Sequence, residues 1–404
     1  MERSESMRDI VRSISTLIAV AMLVGCTASE ERQGETTTAA ETPAPLSAAT
    51  EQLIETMQVR QRLDGETDVA ALVAEGADVN ARFQYTMGSL AQGETYFQEF
   101  TPLALAAYRK WPRTMQDLID AGAEVNAQVD QTGDTPLTLL IVDSEGIEEL
   151  VDRGVEVLLD AGADPNIARF GDGRTELADG ATPLLIAIAF GYGEVVEALL
   201  TADADPNIAL ADNGQTVNSS GSTPLIVAMT GDIENQQITM LLLEYGADPN
   251  VSLADDGRTP FSNGTYPLHE SVTRSFVNST NLLLRYGAEP NVYRAGNLQV
   301  DGSNGDTPLH GAPTAELASL LLEFHADANA RRRDNTDITP IEAAAYDGNT
   351  PVVRVLLDAG ADPNLVSQFG TALDAAIDGG HPDTADLLRA NGARTAEELG
   401  VTIN

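Results

Sequence analysis

The chain has 404 residues, a length that fits two or three domains at about 150 residues each, and its 43% apolar content supplies a sizeable core. Aromatic residues make up only 5%, so that core must be built mainly from Leu, Ala, Val and Ile. With 62 acidic side chains against 23 basic ones the net charge is −39, a surface that repels phosphate backbones and argues against a nucleic-acid partner.

At the N-terminus, Ile14 to Val24 form an 11-residue apolar run, too short to span a bilayer and of the length of a signal-peptide core. Arg8 and Arg12 precede it, and Leu23-Val24-Gly25-Cys26 closes it with the only cysteine of the chain. That tetrapeptide resembles the bacterial lipobox, whose cysteine becomes the lipid-modified first residue of the mature protein. The resemblance implies a signal peptide over 1–25, a lipid on Cys26 and membrane attachment by acyl chains alone, each buried methylene contributing about 0.8 kcal/mol. Thr27 stands where an aspartate would imply inner-membrane retention, so the implied location is the outer membrane, facing the periplasm. Counted from Met7, the stretch before the apolar run is net basic, which makes Met7 a candidate start. Residues 26–50 lack any apolar period and are rich in Thr, Ala, Glu and Pro, the composition of a flexible tether.

From Glu51 onward two phrases alternate. One ends at Asn80, Asn126, Asn166, Asn207, Asn250, Asn291, Asn329 and Asn364, as in the LLDAGADPN that closes on Asn166. The other is Thr-Pro-Leu or a close variant at Thr101, Thr135, Thr182, Thr223, Tyr266, Thr307, Thr339 and Thr371. Thr is a good helix N-cap, and Pro at the first helical position gives up only a donor that has no helical partner. The Leu-Leu pairs end a second helix, and the glycine after them suits the left-handed cap. Asp203 and His325 replace that glycine and tolerate positive φ better than most residues. This alternation resembles the ankyrin-repeat pattern over 51–404. The resemblance implies an all-α solenoid of about nine helix-turn-helix repeats and a role in binding another protein.

Thr-to-Asn spacing is 25 residues at Thr101, Thr182 and Thr339, but 31 from Thr135 to Asn166 and 22 from Thr307 to Asn329. The longer copy predicts a loop around Asp143–Asp152, and the shorter one a local irregularity. Four connections, starting after Asn166, Asn207, Asn250 and Asn291, have 15 intervening residues, where the resemblance implies about seven. Asp172-Gly173, Asn213-Gly214 and Asp256-Gly257 supply turn signals within them, so they read as extended β-hairpin fingers along one edge. Another insertion, between Asn80 and Thr101, concentrates Phe83, Tyr85, Tyr96, Phe97 and Phe100, either as a lid on the first repeats or as exposed anchors.

No catalytic set can be assembled, and no enzyme activity is expected. All four histidines fall on repeat positions: the resemblance places His269 and His310 where they bridge neighbouring backbones, His325 at a cap and His381 at a turn. The one lysine, Lys110, sits in no phosphate loop, and Gly191-Tyr192-Gly193 lies between helices rather than after a strand, so no cofactor and no metal site is expected. A second reading makes the chain a structural or calcium-linked envelope element, with Asp172, Glu176, Asp255 and Asp256 of the fingers as weak cation ligands. The first reading is a lipid-tethered scaffold. In the resembled family the two residues before the inter-helix turn face a concave groove, which assigns the partner surface to Tyr108, Arg109, Phe190, Arg274 and Tyr346. The net charge of −39 points to a protein partner with a basic patch.

Overall fold

Most Thr-Pro-Leu phrases start a short helix because the Thr side chain takes up a backbone N–H that has no partner within the helix. Thr101 accepts from the Ala104 N–H at 3.2 Å and Thr182 from that of Leu185 at 3.3 Å, with Pro at the first position of each helix. In the computed structural model, residues 46–403 are described apart from 59–63, 66, 90–94, 130–131, 143–147, 170–179, 211–220, 231–233, 253–263 and 295–304. Cys26, the finger turns and the acidic residues Asp172, Glu176, Asp255 and Asp256 lie outside the described residues.

Among the described residues the chain forms 17 α-helices, a two-stranded hairpin and one 3-10 turn. They pair as α1 (Ala48–Gln58) with α2 (Val69–Ala74), α3 (Pro102–Tyr108) with α4 (Pro112–Asp120), and α5 (Pro136–Ile141) with α6 (Glu148–Asp160). Next come α7 (Pro183–Phe190) with α8 (Gly193–Thr201), α9 (Pro224–Thr230) with α10 (Gln236–Glu244), and α11 (Pro267–Thr273) with α12 (Val277–Arg285). The 3-10 turn Pro308–Gly311 pairs with α13 (Ala315–Glu323), α14 (Pro340–Tyr346) with α15 (Thr350–Asp358), and α16 (Ala372–Asp378) with α17 (Pro382–Ala390). First helices are enclosed by their neighbours on both sides, so α7 is apolar all round and buried from Pro183 to Ile188. Second helices bury one stripe, such as Val352, Val353 and Leu356 of α15. The core is one continuous aliphatic cluster from Ala49 to Ala393.

The asparagine that closes each repeat phrase is a cross-link. Asn207 donates from Nδ2 to the Gly246 carbonyl at 3.1 Å and accepts at Oδ1 from the Asp248 N–H at 2.8 Å, joining its repeat to the next. The same pair of bonds recurs from Asn80, Asn126, Asn166, Asn250, Asn291 and Asn364. Asp64 and Glu234 form a second kind of cross-link, accepting from the first backbone N–H groups of the next repeat's second helix at Thr114 and Ser279.

The irregular copies resolve unequally. The three-residue shortage after Thr307 turns that first helix into the 3-10 turn. The long copy instead lengthens its second helix: α6 has 13 residues and starts at Glu148, so the loop expected over Asp143–Asp152 does not extend through residues 148–152. Three of the four long connections are paired where they leave and rejoin the solenoid, and the hairpins expected beyond those ends lie outside the described residues. Arg169 and Ala181, Leu210 and Ser222, and Arg294 and Asp306 are joined by N–H to carbonyl bonds of 2.9–3.1 Å. A glycine at positive φ closes each return at Gly180, Gly221 and Gly305.

Candidate interaction surface

The predicted groove residues sit at equivalent points, where a first helix ends and the chain turns into the second. Tyr108, Phe190 and Tyr346 are the last residues of α3, α7 and α14, while Arg109 and Arg274 cap α3 and α11. The turn residue that follows is left-handed in all four, at Lys110 (φ 57), Gly191 (φ 73), Ser275 (φ 62) and Gly348 (φ 68). The residues come from alternate repeats and share one edge of the solenoid. Their environments divide them into two groups.

Phe190 and Tyr346 are open to solvent, 41% and 60% exposed, and Arg274 is exposed beside Glu270 in an ion pair of 3.4 Å. Tyr108 and Arg109 are half-buried within the chain. The insertion folds as β1 (Phe83–Ser89) and β2 (Thr95–Phe100), antiparallel, with Phe83 opposite Phe100 and Tyr85 opposite Gln98. Tyr85, Phe100 and Tyr108 meet edge to face at 5.4–6.2 Å, and the Arg109 guanidinium donates to the Tyr85 hydroxyl at 3.0 Å. Arg109 also lies over the Tyr85 and Trp111 rings at 5.7 and 5.3 Å. Of the two roles open to the insertion, Phe83, Tyr85 and Phe100 show the inward one.

Phe190 has a neighbour that sequence reasoning missed. Tyr192 stacks on it, ring centroids 5.6 Å apart and planes within 14°. The pair borders a cleft of about 400 Å³ between α6 and the α7–α8 turn, which Val151, Asp152 and Glu194 also line. An apolar stack flanked by carboxylates can hold an aliphatic or cationic side chain. The signal was present in the sequence as Phe-Gly-Tyr-Gly, read there only as a failed dinucleotide motif.

The fourth position of the Thr-Pro-Leu phrase faces the next repeat, and in the C-terminal half it is titratable. His269 Nε2 lies 3.1 Å from the Asp306 carbonyl and His310 Nε2 3.0 Å from that of Ile338, so each bridges two repeats. A carbonyl only accepts, so both nitrogens carry hydrogen; His310 Nδ1 then accepts from the Thr307 N–H at 3.2 Å. Burial pushes these imidazoles down, His269 to about 3 and His310 to about 4. Glu342 takes the same place, bonds the Ser367 hydroxyl, and is pushed up to about 7 by burial. Asp374 follows and accepts from the Ala396 N–H at 2.8 Å. Lys110 is buried too, its Nζ donating to the Val142 carbonyl at 2.9 Å just past the end of α5. These charged types serve the junctions between repeats, and among the described residues no cluster of three or more His, Cys, Asp or Glu is placed to hold a metal.

Comparison with known proteins agrees with this architecture. A family model described as Ankyrin repeats (3 copies) matches residues 103–210, 153–253 and 310–398. The human "Ankyrin repeat and KH domain-containing protein 1" is 45% identical over 82 residues, 20% of this chain and 3% of that protein. The Drosophila melanogaster "Ankyrin repeat and KH domain-containing protein mask" is 42% identical over 81 residues, covering 19% of this chain and 2% of its own length. The human "Ankyrin repeat domain-containing protein 17" is 45% identical over 69 residues, 16% of this chain and 3% of the relative. The chain thus spans only 2–3% of the length of these curated relatives, and the likeness is one of repeats. With helix pairs, left-handed turns and an asparagine cross-link recurring from Asn80 to Asn364, and matches over more than half its length, the chain belongs to the ankyrin-repeat family.

Proposed function

We propose that the chain is a protein-interaction scaffold, tethered to the bacterial envelope by a lipid on Cys26 and holding a partner protein along its turn edge. Ankyrin repeats generally mediate protein–protein contact, and this chain carries the family pattern through most of its length. The observation that carries the reading is the pair Phe190 and Tyr346, large aromatic side chains 41% and 60% exposed at equivalent turns. Exposed aromatics are the residue types that dominate interface energetics. With a net charge of −39 the complementary partner presents a basic patch, and its association rate falls as salt rises. Among the described residues no helix is long and apolar enough to cross a membrane, and attachment rests on the lipobox.

The test uses the partner captured by cross-linking on membranes. Phe190→Ala combined with Tyr346→Ala weakens its binding at least about tenfold while the melting temperature stays near that of the parent. Unchanged affinity moves the site away from the turn edge. For the tether, Cys26→Ala releases the protein from membranes; a variant that still sediments with them defeats that half of the proposal.

A further inference from the structure

A second surface lies at the other end of the helix pairs. The residue capping the C-terminus of the second helix is Ala121, Ala202 or Ala359 in α4, α8 and α15, Glu75 or Asn391 in the terminal α2 and α17, but Tyr245, Tyr286 and Phe324 after α10, α12 and α13. The alanine copies make the same backbone cap, so the cap itself does not call for a ring, although Phe324 packs partly against the core. Tyr245 and Tyr286 are 43% and 44% exposed and Phe324 is half-buried. Three consecutive repeats therefore set an aromatic row where three other repeats carry only a methyl group. The Tyr245 hydroxyl bonds the Thr201 hydroxyl of the preceding repeat at 3.0 Å, laying this ring across the junction. Helices in each pair run antiparallel, so this row lies away from Phe190 and Tyr346 and is independent of the groove reading.

The charge around the row states what it fits. From the last helical turns to the closing asparagines, over 241–250, 282–291 and 320–329, there are five carboxylates and one arginine, Arg285. A partner there is cationic. The ring faces select the planar guanidinium over the ammonium, since arginine stacks on aromatic faces while presenting its donors to carboxylates at the rim. The chain already uses that contact, with the Arg333 guanidinium 3.6 Å from the Tyr293 ring centroid. We propose that Tyr245, Tyr286 and Phe324 form a docking row for an arginine-rich protein segment.

The experiment measures binding of fluorescent oligo-arginine and oligo-lysine peptides of equal length to the full chain at physiological salt. Tyr245→Ala with Tyr286→Ala, which keeps every charge, weakens oligo-arginine binding at least about tenfold and oligo-lysine binding less than about threefold. Phe at both positions retains arginine binding. Because alanine is what other repeats carry, the double variant melts near the parent temperature. Parental affinity in the double-alanine variant, or equal loss for both peptides, overturns the proposal. So does ring-dependent binding to phosphatidylcholine vesicles, or a self-association that the variant abolishes, since either assigns the row to another occupant.

Discussion

His310 and Glu342 occupy the same place in successive repeats and titrate in opposite senses. Folding lowers the His310 pKa from 6.5 to about 4, so the unfolded chain binds more protons between those values. The stability these imidazoles contribute is therefore complete above pH 6.5 and falls as pH drops through that window, with His269 extending the loss toward about pH 3. Glu342 is raised from 4.5 to about 7, so its contribution is complete below pH 4.5 and is lost as pH rises through 7. Glu342→Gln keeps a polar partner for Ser367 without the charge. It stabilises the protein by about 1–3 kcal/mol at pH 8 and changes little at pH 4.5, read from urea melts at the two values. An equal effect at both would show that the carboxyl is not buried as described. For the histidines, the pH dependence of unfolding between 4 and 6.5 flattens in His310→Gln; a parental slope there contradicts the neutral imidazole bridge.

At the scale of the element, each repeat rests on a few backbone conformations. Gly287 ends a second helix at φ +92 with open space where a Cβ would stand, while at Gly305, φ +78, a Cβ would run into the Arg333 backbone. Both positions charge a side chain about 1–2 kcal/mol for left-handed backbone, and only Gly305 adds a collision. Gly305→Ala is accordingly the more damaging of the two by at least about 1 kcal/mol in equilibrium unfolding. Equal losses would remove the stem contact. The helices were legible because Thr-Pro-Leu and Leu-Leu-x-x-Gly are local signals, each sufficient to start or end an element. What was not legible depends on neighbours. Lys110 stands where a turn glycine belongs, and nothing local says that its ammonium caps α5 of the next repeat. Nor does the Asn of each phrase announce a bond across some forty residues of chain. Among the site residues, the turn positions of Phe190 and Tyr346 were readable by register, while the enclosure of Tyr108 and Arg109 required the fold of an insertion outside the repeat pattern.

Over the whole molecule the dominant unspent term is charge. A chain at −39 whose carboxylates are mostly on the surface repels itself in the compact state. Raising salt from about 0.01 to about 0.15 M shortens the screening length from about 30 to about 8 Å. The melting temperature should rise over that range, the reverse of what salt-bridge-dominated proteins show; a fall would mean that pairs such as Asp306–Arg332, at 2.6 Å, outweigh the repulsion. The asparagine cross-links add a mechanical consequence. They repeat nearly unchanged from Asn80 to Asn364 along one edge, whereas at the turn edge the junctions are bonded differently, by Asp64, Glu234 or the Thr350–Thr384 pair. The solenoid is thus bound like a book. Its spine repeats one kind of bond from junction to junction, so a pull that parts the repeats meets like resistance at every step there, and an uneven one at the fore-edge where Phe190 and Tyr346 stand.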